Sequence, residues 1–360
     1  MAHRSFSVLL LSRDGSKDCA RYAALFLLVS AMVVATCGIA TAETLGSEAR
    51  LQSVALDNVS DLTIKGGQAE PIQYQGRQAI RLTTAPKQDE VLAFLKGAQI
   101  QDGTIECDVA LKITTPPGVR MPGFVGVAFR ASPDGSHYEL FYLRPGNARS
   151  EDQAMRNHSV QYVSIPGFDW YKLRREWPWL YESYAVLEPE HWSHMKIDVH
   201  GRLAKLLLDG SENASLVVNG LKGQDLRGGV ALWGYAGEEA YFANLKVTPA
   251  EPVPLTNDGE VAGNWDLKYA SDYGRYEGSM NLHRNANVVI GTWSGAFAEN
   301  QPIHGTWRNG YVELTFNGSW PGDKALVTAT LVGWIDGDAA SGRMKVEGRA
   351  DGQWTAQRRK

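Results

Sequence analysis

Apolar and polar residues alternate with a period of two through most of the chain after residue 42, and this alternation limits the possible folds severely. Segments such as TIECDVALKI, HYELFYLR and HMKIDVH are separated by Gly, Pro, Asn and Asp, which favour tight turns. Neighbouring residues of a strand face opposite sides of a sheet, so the pattern indicates strands. We predict an all-β protein whose residues 46–248 form an antiparallel sandwich of some ten strands.

The pattern changes after Val247, where the sequence reads TPAEPVPLTNDGEVAG and holds three prolines. We interpret residues 249–260 as a linker. Residues 261–360 then contain eight shorter, glycine-rich segments with strand periodicity, in which the triplet Gly-Thr-Trp recurs. Even spacing of short strands is typical of an up-and-down barrel, since closure removes exposed sheet edges. The tryptophans that we expect to fill or girdle this barrel are Trp265, Trp293, Trp307, Trp334 and Trp354.

The first 42 residues have the composition of a secretory signal peptide and not of a folded element. Four basic residues precede the apolar run YAALFLLVSAMVVATCGIA, which ends at the small-residue exit ATA. This pattern predicts a secreted or periplasmic protein, with an uncleaved membrane anchor as the alternative. No later run reaches the roughly 20 apolar residues of a spanning helix, so we expect no membrane span after cleavage.

Charge and cysteine content narrow the possible partners. The formal net charge is −4, and it becomes more negative without the basic leader, which argues against a nucleic-acid partner. Only Cys107 lies outside the leader, so no internal disulfide is expected, and we interpret this thiol as a small buried residue. No readable metal cluster, phosphate loop or nucleophile triad is present in the sequence, and we predict neither a metal nor a cofactor.

The stretch GFDWYKLRREWPWLYESYA, residues 167–185, is unusual because it combines three tryptophans, three tyrosines and six charged residues. Trp170, Leu173 and Trp177 have helical spacing, and Pro178 ends that pattern. One short segment cannot easily bury so many rings while it solvates its charges. Aromatic faces also stack on the apolar faces of sugar rings. We predict that the stretch forms the rim of a binding groove, with Trp170 and Tyr181 as ligand contacts; pure packing is the alternative.

Two further sets of residues are candidates for binding. Phe124, Gly126, Ala128 and Arg130 share one face of a predicted strand, which leaves a shallow groove with a charge at its end. Glu139 lies across the hairpin, where we expect it to pair with Arg130, either for sugar binding or as a structural ion pair.

The polar loop from Arg144 to Ser164 is too long for a simple hairpin connection, and such loops are often functional. Its candidate ligand contacts are Arg144, Asp152, Arg156, Asn157 and Gln161, whose mixed polar groups suit a glycan or a uronate.

The segments GFVGVAFRASPDGSHYELFYLRP, WSHMKIDVHGRLAKLLLDG and GGVALWGYAGEEAYFANLKV resemble the concanavalin A-like lectin/glucanase jelly roll. The laminin-G-like and 3-keto-disaccharide hydrolase-type branches are the most similar, over about residues 46–248. Residues 260–360 look like a calycin barrel of the lipocalin and avidin kind. The first resemblance implies a carbohydrate-related role, although this sandwich also hosts hydrolases and lyases. The Glu-x-Asp-x-x-Glu strand of the glucanases is absent, because TIECDVALK supplies only Glu106 and Asp108.

These observations lead to three hypotheses. We expect an exported carbohydrate-binding protein that recognises a glycan in a groove of the sandwich. The first alternative is a glycoside hydrolase or polysaccharide lyase that uses carboxylates in the same groove, for which the candidates are Glu139, Asp152, Asp169 and Glu176. The second alternative is an envelope protein whose aromatic stretch binds a protein partner.

Overall fold

A computed structural model describes residues 52–116, 118–256, 259–322 and 325–360. The predicted signal peptide lies outside these residues. The first fifteen strands are β1 (Gln52–Val54), β2 (Leu62–Lys65), β3 (Gly67–Tyr74), β4 (Arg77–Thr84), β5 (Glu90–Leu95), β6 (Gly103–Ile113), β7 (Val125–Ala131), β8 (Tyr138–Leu143), β9 (Val160–Ile165), β10 (Glu182–Ser183), β11 (Ser193–His200), β12 (Leu203–Leu208), β13 (Leu216–Asn219), β14 (Gly229–Tyr235) and β15 (Glu238–Pro249). Three short helices lie among them: α1 (Pro145–Ala148), α2 (Gln153–Arg156) and α3 (Trp170–Glu176).

These strands form two antiparallel sheets that pack into a sandwich. The first sheet has the order β13-β12-β11-β6-β15-β4-β3, and β1 pairs with β15. The second sheet has the order β10-β9-β8-β7-β14-β5-β2. Neighbouring strands are often distant in sequence, as in β6 beside β15, which is the topology of a jelly roll and confirms the predicted fold class.

The apolar core of the sandwich lies between the two sheets. A side chain built on Gly234 of the second sheet would meet Ala240 and Leu82 of the first, which identifies the inner face of β14. Val125 and Val127 share that inner face with Phe129 across the sheet, as the strand pattern predicted, and all three are buried. Cys107 is also fully buried, and burial raises the pKa of its thiol well above the usual range.

The last eight strands close into a barrel. They are β16 (Gly263–Ser271), β17 (Gly274–Asn285), β18 (Val288–Gly295), β19 (Ala298–Arg308), β20 (Tyr311–Ser319), β21 (Leu326–Asp336), β22 (Ala339–Val346) and β23 (Ala350–Arg358). Each pairs with the next, and β23 returns to β16, so the predicted up-and-down barrel is confirmed. Trp265, Trp293 and Trp354 fill its interior with Phe316, which stacks on Trp293 at 4.5 Å.

Trp334 lies on the outside of the barrel and contacts the sandwich. It is 1% exposed, its indole Nε1 donates to the carbonyl of Leu221 at 2.7 Å, and the guanidinium of Arg202 stacks 3.6 Å from its ring centroid. Tyr311 lies beside Trp334 and packs edge-on against Phe168 at 5.8 Å. Sandwich and barrel are therefore joined through a buried aromatic junction.

Lys222 lies in the middle of this junction. Its ammonium Nζ donates to the hydroxyl of Tyr311 at 2.6 Å and lies 4.3 Å from the ring centroid of Trp177. The rings of Phe168 and Tyr181 are also within 6 Å. Burial lowers the pKa of Lys222 to about 7, because the aromatic surroundings solvate the ammonium less well than water does.

The described residues contain no helix long and apolar enough to cross a membrane. They contain fifteen sandwich strands where the sequence predicted some ten. The missed strands include the N-terminal β1 and β2 and the short β13. These segments are three or four residues long, so they show too few repeats of a two-residue period to be recognised.

Candidate functional site

The outer face of the second sheet, which is turned away from the first sheet, forms a groove. Register places Tyr142 of β8 opposite Gly126 of β7, and Gly126 opposite Trp233 of β14. Because side chains alternate along a strand, Leu140 and Tyr138 share the outer face with Tyr142. The small residues Gly126 and Ala128 thus lie on this outer face, beside large rings.

The sheet curves towards this outer face. Glu90 of β5 accepts hydrogen bonds from the hydroxyl of Tyr138 at 2.6 Å and from the indole of Trp233 at 2.9 Å. Tyr138 belongs to β8, and two strands separate β8 from β5. Side chains from such distant strands can meet only if the sheet wraps around them, so the groove is concave.

Four aromatic rings line one side of the groove. Tyr142 lies 5.2 Å from Trp233, and Trp233 lies 5.9 Å from Tyr235. Phe124 completes the set, with its ring centroid 5.1 Å from that of Tyr235. The rings are tilted against one another, and Tyr142 and Trp233 are buried whereas Phe124 and Tyr235 are partly exposed. Phe124 and Tyr235 thus offer apolar area next to polar tips, which suits ligands that are apolar on one face and polar at the edges.

Arg144 follows β8 directly and stands over these rings. Its guanidinium carbon lies 4.9 Å from the ring centroid of Tyr142 and 5.7 Å from that of Phe124. Its Nη2 donates to the hydroxyl of Tyr142 at 2.6 Å, and its Nη1 donates to the carbonyl of His158 and to Gln161 Oε1, both at 3.3 Å. Five contacts with four residues thus fix the position of this cation.

A buried carboxylate supports the wall behind Arg144. Glu182 accepts a bidentate pair of hydrogen bonds from Arg174, with Nη2 at 2.6 Å and Nε at 3.0 Å. His158 Nδ1 lies 2.8 Å from the same carboxylate without the angle of a hydrogen bond, and Arg144 Nη1 lies 4.0 Å from it. Burial lowers the pKa of His158, so its imidazole is neutral at neutral pH.

Helix α3 supplies the rim of the groove. Asp169 caps its N-terminus by accepting from the backbone N–H of Lys172 at 2.8 Å. The spacing of four residues between Trp170 and Arg174 places both on one side of the helix, with the guanidinium 4.9 Å from the indole centroid. Trp170 remains 44% exposed, whereas Leu173 on another side of the helix is fully buried.

We call this space the outer groove. Its volume is about 610 Å³, within the range of small-ligand sites. It is lined by Glu90, Arg120, Pro122, Phe124, Tyr138, Leu140, Tyr142, Arg144, Asn147, Met155, His158, Val163, Ile165, Asp169, Trp170, Arg174, Trp233 and Tyr235.

A second cavity, of about 400 Å³, lies where the sandwich meets the barrel, and we call it the junction cavity. It is lined by residues of both parts, among them Arg130, Glu139, Lys222, Tyr311 and Trp334. The candidate residues of the sequence are therefore divided between two places, since Arg144, Asp169 and Trp170 line the outer groove.

The expected pairing of Arg130 with Glu139 is wrong. Arg130 is fully buried and forms its ion pair with Asp102 at 3.1 Å, while its Nη2 also donates to the carbonyl of Gly201 at 2.6 Å. A bulge explains the difference, because the register between β7 and β14 shifts after Ala128 and Arg130 adopts a positive φ of 48°. The alternation ends there, so Arg130 does not continue the groove face.

Glu139 lies on the inner side of β8. Its Oε1 accepts from the backbone N–H of Gly223 at 3.0 Å, and its Oε2 accepts from the hydroxyl of Tyr162. Burial raises the pKa of this carboxyl, while the nearby charge of Arg130 acts in the opposite direction. Both oxygens are thus occupied inside the sandwich, away from the outer groove.

The remaining predicted contacts have local roles in the structure. Asp152 caps α2 by accepting from the N–H of Ala154 at 2.8 Å, and Asn157 follows the same helix. Arg156 donates to the hydroxyl of Tyr184 at 3.1 Å.

Two of the predicted contacts are buried. Gln161 lies on the outer face. Its Oε1 accepts a hydrogen bond from Arg144 Nη1, and its Nε2 donates to the carbonyl of Tyr181 at 2.9 Å. Tyr181 itself packs between Tyr162 and Trp177 in the core.

The carboxylates proposed for catalysis do not come together. Glu139 lines the junction cavity, Asp169 lines the outer groove, and Asp152 is exposed and lines neither. Glu176 pairs with its neighbour Arg175 at 2.7 Å. Hydrolysis by an acid–base or acid–nucleophile pair requires two carboxyl groups on opposite sides of one bond, within roughly 10 Å. Within the described ranges, no two of these four residues line the same cavity.

Sequence reasoning missed Glu90, Tyr142 and Trp233 as groove residues, and Glu182 as the carboxylate behind Arg144. A signal for Tyr142 and Trp233 was present, because β8 and β14 carry large residues at both alternating sets of positions. Such strands are covered on both faces. Glu90 gave no comparable signal, since its partners Tyr138 and Trp233 lie far away in sequence.

No protein-family model matches this chain, and no curated protein matches it either. The carbohydrate-binding module CBM66 from Bacillus subtilis is similar in structure, with 14% identity and a TM-score of 0.35 over 52% of this chain and 98% of that chain. The Ca²⁺-bound exoplasmic/lumenal domain of VIP36 shows 10% identity and a TM-score of 0.39 over 56% and 93%.

A third similar structure is the endo-β-galactosidase from Clostridium perfringens that releases GlcNAcα1-4Gal. It shows 10% identity and a TM-score of 0.33, and the match covers 86% of this chain and 97% of that chain. At these identities and TM-scores the similarities name no family for the chain and assign it no ligand. The resemblance to concanavalin A-like and calycin families stays a prediction.

Proposed function

We propose that the outer groove binds a carbohydrate. The observation that carries this proposal is the concave wall formed by Phe124, Tyr142, Trp233 and Tyr235, with fixed polar groups beside it. Sugar rings present C–H faces that pack on aromatic rings, and their hydroxyl groups require donors and acceptors at the edges.

The polar groups around the rings are of the kind that hydroxyl groups need. Glu90 is an acceptor held in place by two hydrogen bonds, and Arg144 is a donor held in place by its own contacts. Groups fixed before binding lose little freedom when the ligand arrives, which favours affinity. Trp170 at the rim is exposed enough to stack on a further sugar unit.

Export of the protein belongs to the same proposal. The basic and apolar leader predicted over residues 1–42 would direct the groove to the periplasm or the medium, where polysaccharides are found. Fractionation of the source cells, with N-terminal sequencing of the recovered protein, tests this part; a mature chain that begins near residue 43 is the expected result.

Binding can be tested by isothermal titration of the folded protein against a panel of polysaccharides and oligosaccharides. Trp170→Ala is expected to weaken binding of the best ligand by up to about tenfold, since one stacking ring is worth roughly 0.5–1.5 kcal/mol. The matched control is Tyr273→Ala, because Tyr273 is an exposed ring on the barrel. Failure of every glycan to bind, or equal losses in both variants, would contradict the proposal.

A further inference from the structure

We propose that the ligand of the outer groove is an acidic glycan whose sugar carboxylate is held by Arg144 and Tyr142. This inference rests on the carbohydrate-binding function proposed above and adds the chemical class of the sugar. It is derived from the unused hydrogen-bonding groups of one wall of the groove.

Arg144 is a buried cation with one edge free. Its side chain is 5% exposed, and the guanidinium donates through Nη1 and Nη2 only. The Nε–H has no hydrogen-bond partner in the part of the chain that the structure describes. Nε and Nη2 point to the same edge of the guanidinium plane, and that edge is the fork that binds a carboxylate.

Tyr142 adds a second donor at the same place. Its hydroxyl oxygen accepts from Arg144 Nη2 at 2.6 Å, which leaves the hydroxyl proton for another acceptor. Among residues 52–360, as far as they are described, this proton has no acceptor. Burial raises the pKa of Tyr142, so the hydroxyl keeps its proton at neutral pH. One ligand carboxylate could therefore accept from both Arg144 and Tyr142.

The charges around the outer groove are balanced. Three arginines line it, Arg120, Arg144 and Arg174. Glu90 and Asp169 line it as well, and the buried Glu182 accepts the bidentate pair of hydrogen bonds from Arg174. The preference for an anion therefore rests on the unused edge of Arg144 and the hydroxyl proton of Tyr142, and not on an excess of positive charge.

The rings beside Arg144 indicate a sugar acid in preference to a free inorganic anion. The ring centroid of Tyr142, which carries the donor hydroxyl, lies 5.2 Å from that of Trp233. A hexuronate could place its carboxylate on Arg144 and its C–H face on the partly exposed ring of Phe124, whose centroid lies 5.7 Å from the guanidinium carbon. Phosphate or sulfate alone would leave the ring surface uncovered.

The test is isothermal titration with trimers of galacturonate, mannuronate and glucuronate, each compared with the same trimer after reduction of its carboxyl groups to alcohols. We expect at least one acidic trimer to bind ten times or more tightly than its reduced form. Tyr142→Phe, which keeps the ring and removes the hydroxyl, should reduce that preference at least threefold. Arg144→Lys should reduce the preference further.

Arg149→Gln is the control, because Arg149 is a solvent-exposed arginine that pairs with Glu188 at 3.0 Å and does not line the groove. Equal affinity for acidic and reduced trimers, or binding of neutral glycans only, would overturn the inference and leave the carbohydrate-binding function standing. If no glycan of any charge binds, the proposed function itself fails. A preference for the acidic trimer that survives both groove substitutions also overturns the inference.

Discussion

At the scale of single residues, the carboxyl of Glu238 at the start of β15 is buried with only one of its two oxygens hydrogen-bonded within the described part of the chain. Its Oε2 accepts from the backbone N–H of Phe124 at 2.8 Å, whereas its Oε1 has no partner among the described residues. Burial raises the pKa of this carboxyl to about 9. The loop that ends in Phe124 borders the outer groove, so the protonation of Glu238 bears on the stability of that border.

The pKa of Glu238 predicts how stability depends on pH. Between its unfolded pKa of about 4.5 and its folded pKa of about 9, the folded protein binds the proton more tightly than the unfolded chain. The stabilising contribution is therefore complete below pH 4.5 and is lost as pH rises towards 9. Chemical denaturation at pH 5, 7 and 9 measures the free energy of unfolding. The unsubstituted protein should lose on the order of a few kcal/mol of this free energy between pH 5 and pH 9, and Glu238→Gln should not show this loss.

Glu251→Gln is the control for this measurement, since Glu251 is exposed in the segment after β15. Its pH profile should follow that of the unsubstituted protein. Parallel profiles for Glu238→Gln and the unsubstituted protein would contradict the prediction, because they would show that the carboxyl ionises freely in the folded state.

At the scale of elements, the stretch of residues 167–185 contacts three parts of the molecule. Trp170 and Arg174 of α3 face the outer groove, Leu173 enters the sandwich core, and Trp177 packs beside Lys222 at the junction with the barrel. The stretch thus combines both hypotheses made from its sequence, since some of its rings are rim and others are packing. Its helix is only seven residues long, and its position depends on these contacts.

Lys222 makes the junction sensitive to pH in the opposite direction from Glu238. The pKa of Lys222 is lowered from 10.5 to about 7, so between these values the unfolded chain binds the proton and the folded protein does not. Stability should rise with pH across this window. Relative to the unsubstituted protein, Lys222→Met should be more stable at pH 6 than at pH 9, as followed by thermal unfolding.

Tyr311→Phe separates this charge effect from the loss of the hydrogen bond between Lys222 Nζ and the hydroxyl of Tyr311. It removes the bond and keeps the lysine, so its stability should retain the rise with pH. A difference between Lys222→Met and the unsubstituted protein that is constant from pH 6 to pH 10 would show that the lysine stays charged when folded.

Prediction from sequence succeeded where one strand pattern decided the outcome. Period two identified the all-β class, and on β7 it separated the core face from the groove face that holds Gly126 and Ala128. The same pattern failed at Arg130, because a bulge and a positive φ turn its side chain away from the outer face, and the local sequence contains no signal for either. Glu90 could not be found either, because its partners Tyr138 and Trp233 lie on strands that are distant from it in sequence.

At the scale of the whole molecule, sandwich and barrel share one buried interface. Trp334 donates to Leu221, and Arg202 both stacks on Trp334 and pairs with Asp336 at 3.3 Å. Asn309 of the barrel also donates to Gln224 at 3.0 Å. The interface combines a central aromatic group with polar contacts around it, which is the composition of stable protein interfaces.

Loss of the Trp334 ring at the centre of this interface should lower the stability of the folded protein. Trp334→Ala is expected to lower the free energy of unfolding by about 3–5 kcal/mol, the usual cost of removing a buried large ring. Trp307→Ala is the matched control, since Trp307 lies half-buried on the barrel and should cost less. Urea denaturation of both variants measures the difference, and a cost below about 1 kcal/mol for Trp334→Ala would show that the ring is not part of a continuous core.

The two sides of α3 have a consequence for how such a protein can diverge. Trp170 and Arg174 are four residues apart on the groove side, and Leu173 and Trp177 are four residues apart on the side that packs. Arg174 is also held by its bidentate pair with the buried Glu182, so Trp170 is the position of this helix at which substitutions can change ligand preference while Leu173 and Trp177 preserve the attachment to the fold. Descendants of one ancestral sequence could therefore acquire different specificities without rebuilding the scaffold, and variation among relatives should concentrate at Trp170.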